Sequence, residues 1–160
     1  MALDLGRVML GRADGKVNYA TYAFPVASGV TVTAGDFVYF ASGRITSATI
    51  AGARCVGMAL ETATGNAGGT VYALVCVDPL MRYLLKNDND SGTFGATNVG
   101  QNFDLIGATG AQLVDTSSAG TTGQLLCLEY NPQIDPVKTD TTYGVFILAE
   151  HIFYTGTGAQ

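Results

Sequence analysis

The chain has 160 residues, a net charge of −5, 48% apolar residues and 13% charged ones, about half the roughly 25% charged residues of an average domain. That balance excludes a disordered chain, which combines low hydrophobicity with high charge, and it suits contact with other protein better than life as a highly charged free monomer. Lysine occurs only at Lys16, Lys86 and Lys138, so there is no cationic footprint for nucleic acid or for an anionic membrane surface, and neither is an expected partner.

Residues 1–29 read as an N-terminal arm. The arm lacks a basic head followed by an apolar core, so no secretory signal is expected. Val8-Met-Leu10 suits a short strand and Gly11 to Gly15 a turn. Tyr19, Tyr22 and Phe24 gather aromatics ahead of a break at Pro25. Such an arm either packs on its own barrel or adds a strand to a neighbouring subunit; the residues leave both open. Arg7 and Arg12 belong either to one positive face or to local ion pairs.

Residues 30–85 read as a first β unit, with strands expected at 30–33, 36–41, 44–47, 54–60 and 70–78. Apolar and β-branched residues fill these runs and glycine marks their corners, the pattern of a small closed or half-closed barrel. Gly68-Gly69 marks a hairpin turn, and Pro79 ends the longest apolar run because it cannot donate to a ladder. Residues 80–85 suit a further strand or, from the spacing of Leu80, Met81, Leu84 and Leu85, a short helix.

Residues 86–99 are polar and turn-rich, a linker or exposed loop. Asp88 and Asp90 alternate like calcium ligands, but the distal bidentate carboxylate is missing, so a plain loop is expected. Residues 100–160 read as a second β unit and tail, with strands at 102–106, 111–115, 124–130 and 143–153 and loops at 116–123 and 131–142. This unit echoes the first. Gly35-Asp-Phe-Val-Tyr-Phe, Gly43-Arg-Ile and Arg54-Cys-Val are answered by Gly100-Gln-Asn-Phe-Asp-Leu, Gly110-Ala-Gln-Leu-Val and Leu125-Leu-Cys-Leu. A duplicated small barrel and two runs of generic β-meander both account for the echo.

Reactive side chains are sparse. Cys55, Cys76 and Cys127 are odd in number, widely spaced and set among apolar residues. They read as buried free thiols, consistent with synthesis in a reducing cytoplasm. His151 is the only histidine and lies in an apolar run, so a structural role is expected. No zinc spacing, nucleophile elbow or Walker lysine is present. The expectation is a non-enzymatic protein with no catalytic residue, no metal and no cofactor.

The series Pro25-Val-Ala-Ser-Gly-Val-Thr-Val-Thr-Ala-Gly35-Asp-Phe-Val, Gly43-Arg-Ile, Val56-Gly-Met-Ala-Leu-Glu-Thr-Ala and Gly69-Thr-Val-Tyr-Ala-Leu-Val resembles the capsid decoration, or cement, proteins of tailed bacteriophages. It covers about residues 25 to 78 and consists of turn and core residues. The resemblance implies a small β-barrel or β-tulip for the first unit, and residues 100 to 154 depart from its shortest members. With the strand runs above, the expected fold is all-β, a β-barrel or β-tulip-like unit followed by a second β-rich unit with little helix. The resemblance also implies a homotrimer, made in the host cytoplasm, that clamps the major capsid protein on the outer face of the virion. Arg7, Arg12, Tyr19, Tyr22 and Phe24 are then the expected capsid or subunit interface. Deleting residues 1 to 24 is expected to weaken capsid binding and leave the barrel folded.

Overall fold

A computed structural model describes residues 7–47, 54–88, 93–130 and 142–149. His151, Asp90, the loop prolines Pro132 and Pro136, the end of the last expected strand and the C-terminal tail lie outside the described residues. The fold is all-β, as the sequence leads one to expect, and its sheets are antiparallel. The only helical element among the described residues is a single 3₁₀ turn at Ala96–Asn98.

Among the described residues, thirteen strands follow in chain order. They are β1 (Val8–Arg12), β2 (Thr21–Pro25), β3 (Thr31–Val32), β4 (Phe37–Ala41), β5 (Arg44–Ser47), β6 (Cys55–Ala59), β7 (Ala63–Thr64), β8 (Tyr72–Cys76), β9 (Met81–Lys86), β10 (Asn102–Ile106), β11 (Leu113–Gly120), β12 (Leu125–Tyr130) and β13 (Tyr143–Leu148). One sheet runs β2-β8-β6-β4-β5, a second runs β1-β9-β13-β12-β10-β11, and β3 pairs with β7.

Each large sheet curls back on itself. A parallel bridge between Val26, just past β2, and Ile45 of β5 joins the edges of the first. A parallel bridge between Asn87, just past β9, and Val114 of β11 does the same in the second. The result is two small, partly closed barrels, a shape that hides most strand edges. β1 stands outside the second ring, laid along β9.

The two barrels share one topology. With β1 set aside, β2, β4, β5, β6 and β8 correspond to β9, β10, β11, β12 and β13, and the neighbour order is the same in both sheets. Register agrees as well. Phe40 pairs with Ile45 as Leu105 pairs with Val114, and Tyr22 pairs with Val75 as Tyr83 pairs with Phe146. Gly35 and Gly100, which open the echoed segments, both take positive φ (89° and 84°) at the corner before β4 and β10. That region favours glycine.

Alternation along the strands sets two cores. Val38, Ile45, Val56, Ala73 and Val75 fill the first barrel, with Val32 and Ala63 contributed by the β3–β7 ribbon. Leu85, Phe103, Leu105, Val114, Leu125 and Phe146 belong to the second core. There Phe94, Phe103 and Phe146 meet edge-on at 5.3–5.8 Å between ring centroids, a favoured aromatic geometry. The second core continues onto the outer face of the first barrel, where Phe37, Cys55, Met58 and Cys76 meet Met81 and Tyr83. The barrels are therefore packed together through a continuous apolar core.

Polar side chains reinforce that junction. Gln112, buried just ahead of β11, accepts the Phe37 N–H at 2.6 Å and donates to the Phe37 carbonyl at 3.0 Å. A side-chain amide thus completes the ladder at the start of β4, as buried backbone groups require.

One open alternative is settled and two local expectations change. Of the two readings of residues 80–85 the strand is the one that forms, over Met81–Lys86, with β1 and β13 flanking it on both sides. Residues 21–25 form a strand despite Pro25, which stands at its last position, where a missing donor is tolerated. Residues 116–120 continue β11 instead of beginning a loop. The register jumps there from Asp104↔Asp115 to Asn102↔Gly120, and the Ser118 hydroxyl accepts the Asp104 N–H at 2.8 Å.

Candidate interaction surface

The five residues assigned to an interface divide into two groups. Arg7 donates to the Asp36 carboxylate at 2.9 Å, and the side chains are 10% and 0% exposed. Asp36 also accepts the backbone N–H groups of Thr33 at 2.9 Å and Gly110 at 2.8 Å. Its carboxylate therefore joins the N-terminal arm, the corner before β4 and a loop of the second barrel. Arg12 binds Asp14 at 2.8–2.9 Å and also the buried Asp78, at the junction between barrels. The hydrogen bond to Asp14 raises the Arg12 pKa further above its ordinary value, and that same bond lowers the pKa of Asp14. Both arginines are thus committed to contacts within the chain.

The aromatic members differ. Phe24 is half-buried, packed edge-on against Phe40 at 5.0 Å and against the first core. Tyr22 leans on Phe24 at 4.9 Å and is 63% exposed. Tyr19 is also exposed. β1 pairs with β9 and β2 with β8, so the arm lies on its own chain. Deleting residues 1 to 24 would remove β1, most of β2 and both arginines. Asp36 and Asp78 would be left buried without their cations, a change that destabilises strongly. The deletion is therefore expected to destabilise the fold rather than leave the barrel intact, and point substitutions at the exposed tyrosines are the cleaner probe.

Two further surface residues escaped the sequence reading. Tyr72 and Leu74 of β8 are exposed, beside Ala23 of the neighbouring strand. In the unbroken apolar run Val71 to Val77 no polar alternation marks which side chains point out. Ala23, Tyr72 and Leu74 share the outer face of the β2–β8 pair and Tyr22 lies on the opposite face, while the exposed Glu61 accepts the Leu74 N–H at 2.8 Å beside them. Together they make an aromatic and apolar rim with one carboxylate. Two shallow open depressions lie nearby, sharing Arg12, Gly15, Lys16 and Val17.

The buried thiols fit their sequence reading. Cys55, Cys76 and Cys127 are buried thiols outside any disulfide. Burial pushes the Cys127 thiol up to about 11 and raises Cys76 as well, so neither is an activated thiolate. Among the described residues, no group of three or more His, Cys, Asp or Glu side chains is placed to hold a metal ion. No helix among them is long and apolar enough to cross a membrane. Comparison with known proteins finds no matching family model, no matching curated protein and no matching solved structure.

Proposed function

We propose that the chain is a non-enzymatic structural protein of a virion, one that binds the outer face of a phage capsid and stabilises the assembled shell. The observation that carries the reading is the sequence resemblance over residues 25 to 78, whose glycines and apolar residues are the corners and core of the first barrel. The low charge of the chain and the exposed Tyr22, Tyr72 and Leu74 support it, because protein interfaces favour tyrosine and deplete lysine. The mechanism is mass action. A protein that binds the shell and not its free subunits shifts the balance toward the shell.

The surface assigned to protein contact is the rim and its surroundings, namely Tyr19, Tyr22, Tyr72 and Leu74. Arg7 and Arg12 act on this surface only indirectly, by holding the arm in place. The partners are the major capsid protein and other copies of the chain, which the resemblance expects as a trimer. Multivalent attachment would convert weak single contacts into firm decoration.

Co-sedimentation with emptied phage heads tests the proposal. The expected result is saturable pelleting with heads, weakened at least tenfold by the double substitution Tyr72→Ala and Leu74→Ala. A protein that stays in the supernatant at every concentration overturns it, and ligand and glycan screens then become the next step.

A further inference from the structure

The duplicated topology exposes a difference between the two barrels. In the second, β1 runs antiparallel along the outer edge of β9, pairing Arg12 with Met81, Met9 with Tyr83 and Val8 with Leu84. By the register of the two closing bridges and of the β2–β8 and β9–β13 pairs, Met81 to Leu84 correspond to Ala20 to Ala23. No described strand lies along that edge of β2. Among the described residues, the position that is paired in one barrel carries no strand in the other.

The hydrogen-bonding groups on this edge follow from the ladder. Val77 N–H donates to the Ala20 carbonyl and Val26 N–H to the Val71 carbonyl, both at 2.9 Å. In an antiparallel pair alternate residues face the partner. Ala20, Tyr22, Phe24 and Val26 therefore turn their backbone groups toward β8, while Thr21 and Ala23 turn theirs outward. Thr21, Tyr22 and Ala23 are all exposed. Natural edges are commonly guarded by charged side chains or proline; Val17 to Val26 carry no charge, and Pro25 guards only the end of β2 where the barrel closes on β5.

We propose that the β2 edge is a self-association site, occupied by β2 of a second copy across a two-fold axis centred on Tyr22. The register closes on itself. Thr21 faces Ala23 of the partner and Ala23 faces its Thr21, and both are hydrogen-bonding pairs in the same alternation. The two Tyr22 side chains then stand opposite each other in a non-hydrogen-bonded pair. Lack of charge lets identical edges meet without repulsion, despite the chain's net charge of −5. Thr21, Ala23 and Leu74 lie on one face of the joined sheet, and Tyr22 with Phe24 on the other, so no residue of β2 brings a charge to either face of the seam. The contact is independent of any capsid, and it is distinct from a three-fold contact.

Sedimentation equilibrium on the full chain, combined with cysteine crosslinking, tests this. Wild-type protein is expected to have an even multiple of the single-chain mass, either a dimer or trimers joined in pairs. Ala23→Pro removes only an outward N–H and is expected to halve that mass while keeping the circular dichroism spectrum. Tyr22→Cys places two sulfurs within disulfide reach in a non-hydrogen-bonded pair and is expected to give a covalent dimer under mild oxidation. Thr21→Cys alone should not, whereas Thr21→Cys mixed with Ala23→Cys should. The crosslinking arm stands even if the proline variant fails to fold. A monomer or a lone trimer, or a Tyr22→Cys protein that stays uncrosslinked, overturns the proposal. So does hydrogen-exchange protection of Thr21 and Ala23 that arises only when emptied heads are added, since the occupant is then a capsid strand.

Discussion

A buried carboxylate is stable only while its partners stay in place, and Asp36 has an arginine and two backbone amides around one fully buried group. Removing it leaves Arg7 nearly buried and uncompensated, with two donors orphaned. Asp36→Ala is expected to destabilise the protein by about 3–5 kcal/mol, the usual range for breaking a buried pair. Urea unfolding checks this, and a loss below about 1 kcal/mol would contradict the role given to Asp36.

Asp104 presents the opposite case. It faces Asp115 directly across β10 and β11, and desolvation, then the charge of Asp115, raises its pKa above the ordinary carboxylate value. A carboxyl whose folded pKa is raised adds stability while protonated in acid, and loses it as pH climbs through the raised value. Asp104→Asn is therefore expected to be more stable than wild type at pH 7, by a few tenths to about 1 kcal/mol. The advantage should disappear below the unfolded carboxylate pKa. Unfolding curves at pH 3 and pH 7 read the sign, and a variant less stable at pH 7 contradicts it.

At the scale of the element, β6 shows how one position fixes a strand crossing. Gly57 has φ of 155°, and a Cβ there would lie 1.8 Å from the Cys76 carbonyl oxygen in β8. That atom is backbone of a paired strand and has nowhere to go. Gly57→Ala is expected to disrupt the first barrel. Loss of dispersed amide signals in an NMR spectrum of the variant would show it; a native-like spectrum would refute the clash.

Much of this was legible beforehand. The strands at 37–41, 44–47, 55–59 and 102–106 followed from alternating or β-branched runs between glycine corners. The less legible elements have physical reasons. β2 hid behind Pro25, which is harmless at a strand end. β9 has the same apolar spacing a helix would have, and only its flanking strands decide the matter. The serines of β11 belong to a bulge in which a hydroxyl replaces a carbonyl, so their composition reads as loop. The interface residues were only half legible. Arginine type does not disclose that Arg7 and Arg12 are paired internally, and the apolar run around Tyr72 and Leu74 does not disclose which side chains reach solvent.

At the scale of the whole molecule, the echo between Gly35 to Val56 and Gly100 to Leu128 coincides with equivalent strands of two barrels that share neighbour order and closing bridges. The halves differ where the chain has used one copy and left the other exposed, in the strand β1 that covers β9 and the bare edge of β2. A lightly charged double barrel with exposed tyrosines along one side is suited to work by contact, and the partner proposed for it is a capsid. Scanning calorimetry of expanded phage heads, with and without the added protein, tests this claim most directly. Head melting is expected to move to higher temperature in a saturable, concentration-dependent way. Heads that melt at the same temperature at every concentration of added protein would contradict it.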